Sequence, residues 1–160
     1  MRRVIGLLVG VVFLLVLGGA GQASAAPVGI TATCSGYGCD YQDPAATGCS
    51  AGSNNTASAA VTAGGVTYGT VELRWSPTCQ TNWSRLTINA GGSNPNGYWR
   101  GVDVYRQSPA ASAFFDYYGA GSPVFGNMLY SPGCAKAIAY LQVSATVTAT
   151  GVAMQPGCSF

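Results

Sequence analysis

The sequence predicts an all-β fold, a small disulfide-stapled antiparallel β-sandwich or partly open barrel with a loop-rich N-terminal segment. Three observations predict it. Apolar and polar residues alternate in several short stretches, turns rich in glycine, proline and asparagine separate those stretches, and the chain contains six cysteines but no histidine. Its length of 160 residues is enough for one domain with one core, but not comfortably for two.

The first 25 residues are typical of a signal peptide. Met1-Arg2-Arg3 supplies a positive start, residues 4–17 are apolar, and Ala23-Ser24-Ala25 is a small-residue cleavage site. The apolar stretch of about 14 residues is shorter than the roughly 20 that cross a bilayer as a helix. We therefore expect residues 26–160 to form a single secreted domain without stable membrane insertion.

The charge of this secreted part argues against nucleic acid as a partner. Residues 26–160 carry five basic and five acidic residues, so their net charge is near zero. Binding of nucleic acid depends on clustered Lys and Arg that neutralise phosphates, and the five cations here are scattered.

An even number of cysteines behind a signal peptide predicts disulfides rather than a metal site. The gaps of four and nine residues between Cys34, Cys39 and Cys49 do not match the spacing of structural zinc ligands. We favour the pair Cys134–Cys158, because a long cysteine-free region separates these two from the others. The pairing within the first group stays open, and that group is Cys34, Cys39, Cys49 and Cys79.

Residues 26–56 have few large apolar side chains, so disulfides must hold this segment in place. Within it, Asp43-Pro44 predicts a turn or the start of a short helical turn. Beyond it, the predicted strands are residues 66–75, 83–89, 98–107, 124–130 and 137–150, with a loop at 90–97. The apolar phase slips by one residue at Gly69, which predicts a bulge or bend. Residues 109–118 fit a short helix or a loop.

The absence of histidine excludes Ser-His-Asp, Cys-His and histidine-based zinc hydrolysis in their usual forms. Two carboxylates would suffice for glycoside hydrolysis, and the candidates are Asp40, Asp43, Glu72, Asp103 and Asp116. For Asp40 and Asp43, which share a cysteine-bounded turn, capping of backbone N–H groups is favoured over catalysis and over calcium binding. We predict no catalytic residue, metal or cofactor.

The candidate ligand-binding residues combine rings with guanidinium groups. Arg74-Trp75 and Trp83-x-Arg85 flank Cys79, and Tyr98-Trp99 opens an aromatic-rich middle region. Rings offer a stacking face and arginine a forked donor for carboxylate, phosphate or sugar. The structural alternative is that the tryptophans pack on a cystine, that the arginines pair with Glu72 or Asp103, and that the other rings fill the core. The candidates are Arg74, Trp75, Trp83, Arg85, Tyr98 and Trp99.

Three motifs stand between residues 39 and 85. They are Cys39-Asp40-x2-Asp43-Pro44-x4-Cys49, Val71-Glu72-Leu73-Arg74-Trp75-Ser76-Pro77-x-Cys79 and Asn82-Trp83-Ser84-Arg85. Together they resemble the domain of unknown function 2690, which is found chiefly in exported or membrane-tethered actinobacterial proteins. The resemblance implies an extracytoplasmic domain in a Gram-positive bacterium and no established activity.

The sequence therefore leads to three functional hypotheses. The first is a secreted binding or interaction module at or outside the cell envelope, with a cell-wall glycan or an extracellular protein as its partner. The second is an inhibitor of an extracellular enzyme that presents a disulfide-fixed loop at residues 77–82. The third is a carboxylate-based hydrolase.

Overall fold

The computed structural model describes residues 31–89, 98–119 and 121–160. The predicted signal peptide and the predicted loop at 90–97 lie outside these residues. The described part is all-β, which confirms the predicted fold class. Its strands are β1 (Asn54–Ala63), β2 (Val66–Ser76), β3 (Thr81–Ile88), β4 (Trp99–Arg106), β5 (Ala111–Tyr118), β6 (Val124–Phe125), β7 (Leu129–Tyr130), β8 (Ala135–Gln142) and β9 (Thr148–Met154).

The strands form one antiparallel sheet in the order β5-β4-β8-β9-β1-β2-β3-β6, and β7 also pairs with β3. This sheet curls into a nearly closed, barrel-like shape, so that β3 contacts β4 and β8 across the interior. Its two terminal strands, β5 and β6, face each other at a seam without pairing. The seam is the one opening in the ladder of the described strands, and it matters for the site below.

Alternation along the strands fills the interior. On β8 the odd residues from Ala135 to Leu141 are fully buried, and the even residues are partly exposed. They pack with Val102 and Val104 of β4 and with Leu73 of β2. Many of the inward residues are small, so the opposite walls of the barrel come close together.

The predicted bend near Gly69 is present as a bulge between β1 and β2. Val61 pairs with Gly69 and the next residue, Thr62, pairs with Thr67, so Tyr68 is an extra residue on β2. A side chain at Gly69 would lie 2.5 Å from the carbonyl oxygen of Thr87. Glycine is required here because β3 passes too close for any other residue.

The single long strand predicted at 137–150 is wrong. β8 ends at Gln142, the chain turns, and β9 begins at Thr148, so the region is a hairpin. In the turn, the Val143 N–H donates to the Val147 carbonyl at 2.9 Å, and the Ser144 hydroxyl accepts the Val147 N–H at 3.1 Å. Apolar and polar residues continue to alternate through the turn, which contains no glycine, proline or asparagine. The sequence pattern therefore does not indicate a turn here.

Three other segments also differ from the prediction. Residues 54–63, for which no strand is predicted, form β1. Residues 109–118, expected to be helix or loop, contain the edge strand β5. The strand expected at 124–130 is divided into β6 and β7, and a side chain at the intervening Gly126 would lie 3.1 Å from Val102. The close approach of β4 fits this break, and Gly126-Asn127 is the turn signal that marks it in the sequence.

The N-terminal segment, residues 31–53, contains a short 3-10 helix (Gly36–Cys39) and turns, and no strand. Its cystine Cys34–Cys39 is internal, whereas Cys49–Cys79 joins it to the turn between β2 and β3. The third disulfide, Cys134–Cys158, is the pair favoured from the sequence. Among the described residues, no helix has the length and apolar character needed to span a bilayer.

Candidate functional site

Two cross-strand pairs on β2 and β3 form the base of the candidate site. Arg74 lies opposite Trp83, and Glu72 lies opposite Arg85. Because Leu73 between them is buried in the barrel interior, these four side chains share the outer face of the sheet. The N-terminal segment lies over this face and supplies the rest of the site.

Trp83 is only 3% exposed and forms the floor of the site. It packs in a small apolar cluster with Met128 and with the cystine residues Cys39, Cys49 and Cys79. Packing of a tryptophan on a cystine, the structural alternative to ligand binding, is therefore present at Trp83. A ring held in this way is rigid, so it can define a binding surface without losing rotamer freedom when a ligand arrives.

The two arginines of the site lie near one carboxylate, which pairs with only one of them. Arg85 forms an ion pair with Glu72 through its Nε atom. Arg74 donates from Nη2 to the carbonyl oxygen of Ser53 at 3.1 Å and to its hydroxyl oxygen at 3.0 Å. Burial lowers the pKa of Arg74, and the positive charge of Arg85 lowers it further, while Glu72 opposes both effects. With two cations and one anion, this corner has a net positive charge.

A pocket of about 240 Å³ opens above these side chains. We call it the arginine pocket, and its lining is Pro44, Ala45, Ser50, Ser53, Arg74, Trp83, Arg85, Pro123 and Phe125. Its walls come from the N-terminal segment on one side and from the chain around β6 on the other. The cystine Cys49–Cys79 fixes the first of these walls against β3.

A second cavity of about 280 Å³ lies at the seam between β5 and β6. We call it the seam pocket, and its lining is Asp43, Phe115, Tyr117, Gly121, Pro123, Val124 and Phe125. Pro123 and Phe125 line both cavities, so the two form one groove around the Phe125 ring. We call the two together the seam groove.

The seam groove combines a positive end with an apolar end. Guanidinium groups bind carboxylates and phosphates in a forked geometry, and they are worth most where water is partly excluded. The rings and the proline of the seam pocket would cover an apolar group of the same ligand. The arrangement therefore suits a ligand that carries an anionic group a short distance from an apolar one.

The other sequence candidates lie elsewhere. Trp75 borders a separate cavity of about 260 Å³ beside Asn82 and Ser131. Trp99 lies on the outer face of β4 and contacts Phe114. Tyr98 immediately precedes β4 and is half-buried. Of the six candidates, the structure brings together Arg74, Trp83 and Arg85.

Sequence reasoning missed the seam side of the groove. Phe115 and Tyr117 belong to the aromatic-rich middle region, and no sequence pattern distinguishes Pro123 or Phe125 as site residues. They join the site because the two edge strands of the sheet meet there. That long-range closure leaves no local signal beyond the aromatic run itself.

Asp40, Asp43 and Glu72, three of the five carboxylates of residues 26–160, bind groups that hold the fold together. Asp40 accepts the Tyr130 N–H at 2.5 Å and the Arg106 guanidinium at 2.9 Å. Asp43 accepts the N–H groups of Ala45 and Ala46 at 2.6 and 3.0 Å, which is the capping role expected from the sequence. Glu72 binds Arg85. The two remaining carboxylates, Asp103 and Asp116, lie on the outer face of the β4–β5 ladder.

The N-terminal cysteines offer no metal ligands in this form. The Sγ atoms of Cys34, Cys39, Cys49 and Cys79 all lie within 4.8 Å of one another. They are joined as two disulfides, so none of the four is a thiolate that could hold zinc.

A family model described as a protein of unknown function (DUF2690) matches residues 37–130, which is more than half of the chain. The matched range includes most of the N-terminal segment and the strands β1 to β7, so it contains the whole lining of the seam groove. No curated protein and no solved structure matches the chain.

Proposed function

The chain belongs to this family of unknown function, and on that premise we propose that it is a secreted binding module that acts at or outside the bacterial cell envelope. The seam groove is its binding site, and its ligand carries an anionic group beside an apolar one. The observation that carries the proposal is the pair of guanidinium groups of Arg74 and Arg85 in the arginine pocket, of which only Arg85 forms an ion pair among the described residues, with Glu72. Asp43, the carboxylate of the groove lining, lies at the other end, in the seam pocket.

Two features support the extracytoplasmic location. Three disulfides of the kind found here form and persist in oxidising compartments. The predicted signal peptide would deliver the chain to such a compartment. The envelope of a Gram-positive bacterium offers ligands of the right charge, because its teichoic acids carry phosphates and its peptidoglycan stems carry carboxylates.

The composition of the groove favours binding over catalysis. Asp43 is the one carboxylate in the lining of the two pockets, and its Oδ1 atom already accepts two backbone N–H groups. A glycosidase of the usual kind needs two carboxylates on opposite sides of the bond to be cleaved. A hydrolase is therefore the weakest of the three hypotheses.

The inhibitor hypothesis has less support than binding of a ligand in the seam groove. Residues 77–82 form the tight connection between β2 and β3, in which Cys79, Thr81 and Asn82 are buried. The neighbouring segment binds it from below, since the Ser131 N–H donates to the Gln80 carbonyl at 3.1 Å. The exposed residues of this connection are Pro77, Thr78 and Gln80, and so short a turn between paired strands offers little surface to the active site of an enzyme.

The test is retention of the secreted protein on purified Gram-positive cell walls, with and without their teichoic acid. We expect retention above that of a soluble control protein, weaker at high salt because the contact is ionic. The Arg85→Gln variant should lose about tenfold or more in affinity, the usual scale for a hydrogen bond to a charged group.

The matched control is Lys136→Gln, which removes a cation from the outer face of β8 on a strand that does not line the groove. It should bind as the wild type does. Equal loss in both variants would show non-specific attraction, and the absence of retention on either kind of wall would count against the proposal. A panel of extracellular proteases, inhibited or not, separates the inhibitor hypothesis from this one.

A further inference from the structure

A second surface lies on the outer face of β4, β5 and β8, away from the seam groove. Trp99, Phe114 and Tyr140 come from these three strands and meet there. The Trp99 ring centre lies 6.1 Å from that of Phe114 and 5.9 Å from that of Tyr140, with planes inclined by 28° and 34°. Phe114 and Tyr140 are inclined to each other by 58°, so the three rings form a shallow cradle that we call the aromatic cradle.

Gly101 allows the cradle to form. A Cβ atom at this position would lie 2.8 Å from the Trp99 ring and 2.9 Å from the Phe114 ring. The rings therefore lie over bare backbone instead of standing away from the sheet. This arrangement answers a question that the sequence left open, because these rings do not fill the barrel interior.

The cradle is accessible from solvent. Phe114 is 48% exposed, and Tyr118, which pairs with Trp99 at the upper end of the face, is 68% exposed. Trp99 and Tyr140 are half-buried, so Phe114 is the most open ring of the three. Rings held in this way on a rigid sheet lose little freedom when they bind a ligand. Scattered apolar residues on a surface need no explanation, but a contiguous cluster of this kind marks an interaction site.

A carboxylate without a full set of partners lies beside the rings. Asp103 pairs across the strands with Phe114, and it is only 5% exposed. The Tyr105 hydroxyl binds its carboxylate, yet the Oδ1 atom has no hydrogen-bond partner among the described residues. A buried acceptor without a donor costs free energy, so the site is chemically incomplete as it stands.

Charge on this face is sparse. Its ionisable acids and bases are Asp103, Asp116 and Lys136, on β4, β5 and β8. The Lys136 ammonium group lies over the rings of Tyr105 and Phe160, at 5.0 and 4.4 Å from their centres. The face therefore lacks the concentration of cations that the seam groove has, and it does not call for an anionic ligand.

We propose that the aromatic cradle binds an uncharged pyranose glycan. The C–H face of a sugar ring packs on Trp99, Phe114 and Tyr140, and a hydroxyl group of the sugar donates to Asp103 Oδ1. Because Oδ1 is buried, binding requires the half-exposed Phe114 ring, which lies opposite Asp103 on β5, to move aside and admit the hydroxyl. This surface is independent of the seam groove, and either proposal can fail without the other.

The alternative occupant is a second copy of this chain, packed face to face. Such a dimer would cover the rings, but the cation it would bring, Lys136, already lies over the Tyr105 and Phe160 rings of its own chain, and the second Asp103 would add another negative charge to the same face. A sugar supplies an apolar face and hydroxyl donors in one molecule. The incomplete acid beside the rings therefore favours the glycan.

The test uses the intact secreted protein with insoluble cellulose and chitin, and with soluble cellohexaose and chitohexaose in titration calorimetry. We expect binding to at least one of these β-linked glycans that changes little with salt. Phe114→Ala should weaken it about three- to tenfold, the scale of one aromatic contact. Asp103→Asn should also weaken it several-fold, because a neutral acceptor is poorer than a carboxylate.

The matched control is Val66→Ala, which trims an exposed apolar side chain at the start of β2 and should leave binding unchanged. Arg85→Gln should also leave it unchanged, which separates the cradle from the groove. Circular dichroism checks that each variant is folded. Any of three results would overturn the proposal. They are no binding to any of the four glycans, unaltered binding by the Phe114→Ala variant, and a dimer of the wild type that Phe114→Ala dissociates.

Discussion

The N-terminal segment and the barrel are held together by different means. Residues 31–53 contribute no strand and have few large side chains, and they contain or anchor two of the three disulfides. The barrel has continuous backbone ladders and a core of alternating small and branched residues. One region depends on covalent links and buried polar contacts, and the other on burial and pairing.

This difference matters for the candidate site because the arginine pocket lies between the two regions. Pro44, Ser50 and Ser53 come from the segment, and Arg74 and Arg85 come from the barrel. The pocket keeps its shape only while the segment stays docked. Stability of the segment and binding in the groove should therefore be linked.

The largest expected effect comes from breaking the link between the regions. The double variant Cys49→Ala, Cys79→Ala removes a disulfide that spans 30 residues and connects the segment to the β2–β3 turn. The free energy of unfolding should fall by roughly 3.5 kcal/mol, from the loop-closure entropy returned to the unfolded chain. Chemical denaturation measures the loss.

The matched control is Cys34→Ala, Cys39→Ala, which removes a disulfide that spans only five residues within the segment. The same relation gives about 2 kcal/mol for this shorter loop. Retention on cell walls should fall more in the first variant than in the second. Equal losses of stability and retention in both would show that the connection to the barrel has no special role.

A smaller effect is expected from the polar contact that docks the segment. Arg106 extends from the end of β4 and binds Asp40 and the Tyr130 carbonyl, both at 2.9 Å, with the guanidinium 5.1 Å from the centre of the Tyr37 ring. Arg106→Gln should cost about 1–3 kcal/mol, because Asp40 loses a charged partner in a mostly buried place.

Arg85→Gln provides the comparison for this variant, because the Arg85–Glu72 pair is more exposed. Exposed ion pairs contribute about 0–1 kcal/mol, so this second substitution should change the unfolding free energy little. Both are measured by chemical denaturation at neutral pH. If the two variants lose the same stability, Arg106 does not anchor the segment.

Much of the fold could be predicted from the sequence because strand alternation and turn residues are local signals. The bend near Gly69, the strands around Leu86 and Val102 and the pair Cys134–Cys158 follow from such signals. The hairpin turn at 143–147 was not predicted, because it uses Ser144 in place of a glycine or an asparagine. Local pattern fails where a turn has ordinary residues.

Only one side of the candidate site could be predicted from the sequence. Arg74, Trp83 and Arg85 lie together because they flank the tight β2–β3 turn, and sequence proximity reveals this. Their partners across the groove, Pro123 and Phe125, join them only through closure of the sheet. Trp99 is adjacent to none of these, because it lies on the outer face of β4 and contacts Phe114 and Tyr140.

The smallest expected effect concerns Asp103, a mostly buried carboxylate on the outer face of β4. Burial raises the pKa of Asp103 above its ordinary value of 3.8, while the hydrogen bonds from Tyr105 and from the Val104 N–H oppose that shift. The folded protein therefore holds this proton at a higher pH than the unfolded chain does. As the pH rises above 3.8 toward the raised pKa, the folded state loses stability through this group.

Asp103→Asn removes that titration and keeps the shape of the side chain. The melting temperature of the wild type relative to Asp103→Asn should therefore rise as the pH is lowered from 7 toward 4, when measured in parallel scans. The control is Val152→Ala, which trims an exposed side chain on β9 and should follow the profile of the wild type. Parallel profiles for the wild type and Asp103→Asn would mean that the carboxylate is already satisfied, which would also remove the reason for a sugar hydroxyl at the aromatic cradle.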